Sequence, residues 1–115
     1  MATTIYGIKN CDTMKKARNW LDERGIGYSF HDYKAVGVDR TQLERWCDAA
    51  GWETVINRAG TTFRKLDDGL KADLNREKAI TLMLDQPSMI KRPVLEAEGK
   101  ILLGFKPELY ASHFA

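Results

Sequence analysis

The pattern that most constrains the fold lies in residues 3–33, where a β-prone segment, an amphipathic helix and a second β-prone segment follow one another. The first strand is predicted over residues 3–8 and the second strand over residues 26–33. Between them, residues 13–24 carry apolar side chains at helical spacing, namely Met14, Ala17 and Leu21. Because a strand–helix–strand segment this short reads as a right-handed crossover, the two strands are predicted to be parallel.

Cys11 occupies the predicted turn between the first strand and the helix, with Lys9, Lys15 and Lys16 close by in sequence. Free N–H groups and the helix dipole at such a position can lower the pKa of a thiol from about 8.5 to roughly 3.5–7.5. The alternative is a small apolar core residue, which is what most free cysteines are. The strand-to-helix position favours a reactive thiol at Cys11, whereas Cys47 lies on an apolar helical stripe and is predicted to be in the core.

Composition limits the class of protein, its cellular compartment and the ligands that it can bind. The chain has 115 residues, of which 43% are apolar and 30% charged, with a net charge of +2. These values predict one globular domain and do not support nucleic-acid binding. A monomer is expected, because no feature of the sequence indicates an oligomer. No apolar run is long enough to span a membrane, and two cysteines without a secretory signal indicate the reducing cytoplasm. His31 and His113 lack the spacing of metal ligands, so no metal site is expected.

The middle of the chain has a helical pattern. Two overlapping capping boxes, Asp39 with Gln42 and Thr41 with Glu44, leave two possible starts for its first helix. The predicted helical pieces are residues 41–50, 52–56, 62–66 and 75–85.

The β pattern returns near the C-terminus, where residues 94–97 and 100–103 flank the hairpin turn Glu98-Gly99, and a last helix follows Pro107. This order predicts an α/β, thioredoxin-like fold: a four-stranded mixed sheet with an all-helical insertion. Within a single domain of residues 1–115, the thioredoxin-like part takes about 1–36 and 88–115, and the insertion about 37–87.

Three segments in the same order resemble the ArsC/Spx family, most closely its YffB branch of small ArsC-like proteins: YGIKNCDT at 6–13, INRAGTTFRKL at 56–66 and PSMIKRPV at 87–94. The resemblance implies that Cys11 is the redox-active thiol and that the peptide bond between Arg92 and Pro93 is cis. It also implies that Arg58 and Arg92 face the thiolate and hold an anionic substrate. Guanidinium groups suit that role, because they bind oxyanions and carboxylates with a fixed forked geometry.

The departures from the family pattern bear on the substrate. Arsenate reductases of the family carry a histidine four residues before the cysteine and a serine three after it, where this chain has Gly7 and Met14. They also use a third arginine where this chain has Lys106. These differences argue against arsenate as the substrate. Met14 also replaces the second cysteine of the Cys-x-x-Cys switch found in many Spx regulators.

What remains is a single thiolate with two arginines. This combination predicts a glutathione-dependent thiol–disulfide reductase that acts through a mixed disulfide. Glutathione would be a co-substrate, and no tightly bound cofactor is expected. Two alternatives stay open: an arsenate reductase linked to glutathione and glutaredoxin, and an Spx-like regulator that binds RNA polymerase without catalysis. With Cys11 as the nucleophile, the predicted binding residues are Lys9, Asn10, Thr13, Arg58, Arg92 and Pro93.

Overall fold

The structure, a computed structural model, describes residues 3–9 and 11–114. The chain divides into two compact units, one formed by Met1–Val36 with Arg92–Ala115 and the other by Gly37–Lys91. The sequence pattern puts the second boundary near residue 87, four residues earlier. Residues 88–91 lie with the helical unit because Ile90 forms a β-bridge with Ile56, and the Lys91 N–H donates to the Val55 carbonyl at 2.8 Å.

The helices and strands alternate at first, continue as helices and end in a hairpin and a helix. In chain order they are β1 (Thr3–Gly7), α1 (Asp12–Glu23), β2 (Ser29–Asp32), α2 (Tyr33–Val36), α3 (Arg40–Ala50), α4 (Trp52–Val55), α5 (Thr61–Arg64), α6 (Asp68–Lys71), α7 (Arg76–Asp85), a 3-10 helix (Pro87–Met89), β3 (Val94–Ala97), β4 (Lys100–Leu103) and α8 (Pro107–Phe114). In the part of the chain that the structure describes, no helix is both long and apolar enough to cross a bilayer.

The first unit is built on a four-stranded sheet in the order β2-β1-β3-β4, with β1 and β2 parallel and the other neighbours antiparallel. This confirms the predicted mixed sheet and the parallel crossover. One residue from each strand forms an apolar row across one face: Phe30, Ile5, Leu95 and Leu102. The side chains of α1 and α8 that pack on this core are Met14, Ala17, Trp20, Leu21 and Tyr110. Burial of one large apolar side chain contributes about 1.5–3 kcal/mol, so this layer holds α1 firmly on the sheet.

The helical unit begins at a capping box that settles the choice between the two possible helix starts. The Gln42 N–H donates to the Asp39 carboxylate at 2.7 Å, and the Gln42 side chain accepts from the Asp39 N–H at 3.2 Å. Asn75 caps α7 in a similar way by accepting from the Lys78 N–H at 2.9 Å. The buried side chains of α3, α4, α5 and α7 form the interior of this unit: Leu43, Trp46, Cys47, Val55, Phe63, Ala79, Ile80 and Met83.

Two short helices differ from the predictions. The second strand stops at Asp32 instead of residue 33, because the Asp32 carboxylate accepts from the N–H groups of Lys34 and Ala35 at 3.0 and 3.2 Å. These bonds cap α2, which therefore begins at Tyr33. The helix α6 has no buried residue, and hence no apolar periodicity from which to predict it. The hairpin is as predicted, with Glu98 and Gly99 both at positive φ, 52° and 80°.

Candidate functional site: a thiol at one edge of the sheet

The topology of the first unit collects several chain segments at one edge of its sheet. β1 and β2 are parallel and finish there together, since Gly7 pairs with Asp32. β3 is antiparallel to β1 and begins at the same edge, since Val94 pairs with Tyr6. The turn that follows β1, the start of α2 and the residues just before β3 are therefore neighbours, although they are far apart in sequence.

Cys11 lies in the turn that follows β1 and is the N-cap residue of α1. Its N–H donates to the Ile8 carbonyl at 3.3 Å, which closes the turn, and its carbonyl accepts from the Lys15 N–H at 3.0 Å, which starts the helix. The thiol is half-buried and packs against the core of the first unit. The predicted strand–cysteine–helix arrangement is thus present.

Several groups act on the pKa of the Cys11 thiol. Partial burial raises it, and the backbone N–H groups of Met14 and Thr13 lower it by donating to the sulfur. The positive charge of Arg92 and a hydrogen bond from its guanidinium lower it further. The net result is a pKa below the ordinary value, which enriches the thiolate near neutral pH. The N–H groups of Met14 and Thr13 face the sulfur without forming a regular side-chain N-cap of α1, so they act on the thiolate as weaker donors.

Met14 is buried next to Gly7, the last residue of β1. A β-carbon at Gly7 would lie 2.1 Å from the Met14 sulfur and 2.8 Å from its terminal methyl carbon, so the methionine fills the space that any side chain at position 7 would need. The two departures from the arsenate reductase pattern on either side of Cys11 therefore form one packing unit. Position 7 cannot take a larger residue unless the side chain at position 14 moves or becomes smaller.

The structure places the other predicted residues as follows. Arg92 interacts with the Cys11 sulfur, Thr13 contributes its N–H, and Pro93 is buried after a cis peptide bond, as the resemblance implied. Lys9 is exposed, and its N–H donates to the Asp32 carboxylate at 3.4 Å. Asn10 lies outside the described residues.

Arg58 belongs to the other unit and is exposed on the turn between α4 and α5. Asn57 fixes this turn: its side chain accepts from the Ala59 N–H at 3.2 Å, and its own N–H donates to the Met89 carbonyl at 2.7 Å. The role of Arg58 toward the thiolate stays a prediction from the resemblance.

Cys47 is buried at 5% exposure on α3, as predicted, and burial raises the pKa of its thiol. Among the described residues, no group of three or more histidine, cysteine, aspartate and glutamate side chains is arranged to hold a metal ion. The described residues bring the Cys11 thiol and the Arg92 guanidinium together at this edge of the sheet.

Comparison with known proteins bears on these features. Residues 6–113 match the sequence profile of the ArsC family. The chain belongs to this family. A solved structure of the YffB protein is 67% identical and covers 99% of this chain and 100% of its own, with a TM-score of 0.96. An arsenate reductase (ArsC) related protein from Brucella melitensis is 56% identical, with 99% and 95% coverage and a TM-score of 0.79. These matches confirm the expected family, its YffB branch and the thioredoxin-like fold.

The chain is also similar to transcriptional regulators. The global transcriptional regulator Spx of Streptococcus mutans is 24% identical over 107 residues, which are 91% of this chain and 77% of that protein. Family membership alone therefore does not decide between an enzyme and a regulator.

Proposed function

We propose that this ArsC-family protein is an oxidoreductase, a glutathione-dependent thiol–disulfide reductase that uses Cys11 as its nucleophile. The observation that carries the proposal is the half-buried thiol at the N-terminus of α1, whose pKa is lowered by the Met14 and Thr13 N–H groups and by Arg92. Thiolates attack disulfides, and a thiolate held beside a permanent cation suits an anionic disulfide substrate. Because Cys47 is buried in the other unit, the proposed mechanism uses one protein thiol.

The reaction then proceeds in two exchanges. The Cys11 thiolate attacks the glutathione sulfur of a mixed disulfide R–S–S–G, the S–S bond breaks, and the thiolate RS⁻ leaves and takes a proton from water. The thiolate of a second glutathione attacks the Cys11–S–S–G bond, which releases oxidised glutathione and restores the Cys11 thiolate. The sum is RSSG + GSH → RSH + GSSG, so that two electrons pass from glutathione to the substrate.

Glutathione carries two carboxylates, and the proposal assigns them to the cationic side chains of Arg92, Lys9 and Arg58. Arginine suits this task because its forked donors pair with both oxygens of a carboxylate. The N-terminus of α1, with the predicted residue Thr13, adds backbone donors for an anion, and Asn10 stays a binding residue predicted from the sequence. The chain beside Pro93 is proposed to pair with the peptide part of glutathione as an added strand.

The test is turnover of a glutathione mixed disulfide with glutathione as the only reductant. The wild-type protein is expected to turn over, and Cys11→Ser to lose all activity. Cys47→Ser is the matched control, since it removes the other thiol, and it is expected to keep the activity. With limiting glutathione, mass spectrometry of the wild-type protein should find one glutathione on Cys11. Full turnover by Cys11→Ser would show that the proposal is wrong.

A second candidate is arsenate reduction, with glutaredoxin and glutathione as the electron source. It is favoured by the 56% identical neighbour whose name describes it as arsenate reductase related. Against it stand the buried Met14 beside Gly7, which leaves no room for a side chain at position 7, and a lysine at position 106. Turnover of arsenate by the wild-type protein in the presence of glutaredoxin would favour this candidate over the first.

The third candidate is an Spx-like regulator, which the similarity to the Streptococcus mutans protein supports. Such a protein would bind RNA polymerase with the same affinity after Cys11→Ser, because docking needs no nucleophile. Because both cysteines are free thiols, the proposed reductase is expected to work in the reducing cytoplasm. It is also expected to be a monomer without a tightly bound cofactor.

A further inference from the structure

Arg58 lies on a four-residue turn of the helical unit, residues 57–60. The Gly60 N–H donates to the Asn57 carbonyl at 3.4 Å, which closes the turn. Arg58 and Ala59 occupy its two central positions. The Asn57 side chain also accepts from the Ala59 N–H at 3.2 Å, which forms an Asx turn within the same four residues. The side chain that precedes Arg58 therefore helps to fix the backbone that carries it.

The chain that enters this turn is hydrogen-bonded to a segment that is distant in sequence. The Asn57 N–H donates to the Met89 carbonyl at 2.7 Å, and the Lys91 N–H donates to the Val55 carbonyl at 2.8 Å. These two bonds flank the antiparallel β-bridge between the two segments, whose isoleucines are both buried. The first arm of the turn is therefore held in a fixed register.

The chain that leaves the turn is bonded to the same segment. α5 begins directly after Gly60, and the Thr62 hydroxyl shares a hydrogen bond of 3.0 Å with the Ser88 hydroxyl. Both arms of the turn are thus tied to residues 88–91, the segment that leads into Arg92. A turn held at both ends is preorganised, so less conformational entropy is lost when its arginine binds an anion.

The Asn57 side chain packs within the turn. Asn57 is half-buried, whereas Arg58 and Ala59 are exposed. A β-carbon at Gly60 would lie 3.0 Å from the Asn57 amide nitrogen, so the glycine leaves room for this amide. Replacement of Asn57 by alanine keeps the backbone hydrogen bond to the Met89 carbonyl and removes the side-chain acceptor of the Ala59 N–H. Such a variant loosens the tip of the turn and leaves its first arm attached.

We propose that Asn57 is a positioning residue of the substrate site, whose side chain keeps this turn in the shape that presents the Arg58 guanidinium to an anionic substrate. In a looser turn the arginine samples other positions, and the affinity falls with the fraction of molecules in the binding conformation. The inference rests on the proposed function, which assigns Arg58 to a carboxylate of glutathione. Asn57 is not among the groups that act on the pKa of Cys11, so its loss should weaken binding and leave the thiol unchanged.

The experiment measures the dissociation constant of S-methylglutathione by isothermal titration calorimetry in the full chain, a readout that needs no turnover. Arg58→Ala is expected to raise the Kd about tenfold to a hundredfold, the factor that corresponds to a charge-assisted hydrogen bond. Asn57→Ala is expected to raise it about threefold to tenfold. Asn57→Ser should restore part of the affinity, because a hydroxyl can also accept from the Ala59 N–H.

Asn75→Ala is the matched control. Asn75 is an asparagine of the same unit whose side chain likewise accepts a backbone N–H, that of Lys78 at 2.9 Å. Its replacement removes a comparable hydrogen bond from a different helix start, so it is expected to leave the Kd unchanged. An equal rise in Kd in Asn75→Ala and Asn57→Ala would show a general loss of structure and would overturn the inference.

The decisive comparison is made in the Arg58→Ala background. If Asn57 acts through Arg58, then Asn57→Ala causes no further rise in the Kd once the guanidinium is gone. An unchanged Kd in Asn57→Ala alone, or an equal rise with and without Arg58, would overturn the inference. Asn57→Gly repeats the test should the alanine variant not fold. A wild-type protein that does not bind S-methylglutathione would refute the proposed function and this inference together, whereas wild-type binding that Asn57→Ala leaves unchanged would refute the inference alone.

Discussion

Replacement of Gly7 by alanine tests whether Met14 fills the space beside the cysteine turn. A β-carbon at position 7 would meet the Met14 sulfur at 2.1 Å, its terminal methyl carbon at 2.8 Å and its γ-carbon at 3.0 Å. Met14 is fully buried in the core of the first unit, so its side chain has to displace its neighbours in order to move. Gly7→Ala is therefore an overpacking substitution, and such changes typically cost about 1–3 kcal/mol.

The effect should depend on the residue at position 14. Met14→Ala alone leaves a cavity and is expected to cost about 2–5 kcal/mol. In that background the methyl group of Gly7→Ala enters the vacated space, and alanine is worth roughly 0.5–1 kcal/mol more than glycine inside a strand. Gly7→Ala should then be neutral or stabilising, which gives a coupling free energy of at least about 1 kcal/mol between the two positions.

The assay is equilibrium unfolding in urea of the wild-type protein, the two single variants and the double variant, under reducing conditions. Gly27→Ala is the control, since no atom lies within 4 Å of a β-carbon at that glycine. It is expected to change stability by less than about 0.5 kcal/mol. Additive effects of Gly7→Ala and Met14→Ala, or no cost of Gly7→Ala alone, would refute the packing argument.

Three further predictions follow from the site and its supports. Arg92→Ala should raise the pKa of Cys11, so that the alkylation rate at neutral pH falls and levels off only at higher pH. In the wild-type protein the alkylation rate of Cys11 should reach its plateau at a lower pH than that of Cys47, because burial raises the pKa of the Cys47 thiol. Peptide mapping of the fraction alkylated at each cysteine checks this order. Asp39→Ala removes the capping box of α3 and should lower the free energy of unfolding, measured in urea, by about 0.5–2 kcal/mol. Asp39→Asn should lower it by less.

Local signals were sufficient to predict much of the fold. The capping residues at Asp39, the two positive-φ positions of the hairpin and the apolar face of α1 are encoded within a few residues of sequence. The sequence pattern does not predict α2, because the start of this helix is set by the Asp32 side chain and the residues before it have a strand pattern. α6 buries nothing, so its sequence carries no periodic signal.

The site was only partly predictable for a different reason. The position of Cys11 between β1 and α1 is local, and the sequence pattern alone indicated a reactive thiol there. Arg92 lies 81 positions further along the chain, and its approach to Cys11 depends on the antiparallel pairing of β3 with β1. No local pattern reveals that pairing, so only the family resemblance indicates Arg92.

The most direct test of the central claim is the pKa of Cys11 in Cys47→Ala, measured by pH-dependent alkylation with and without S-methylglutathione, which has no thiol of its own. The proposed function predicts a pKa well below about 8.5 and slower alkylation when the analogue is bound. It also predicts that Arg92→Ala weakens this protection. An ordinary pKa that does not respond to the analogue would contradict a poised thiolate in a glutathione site.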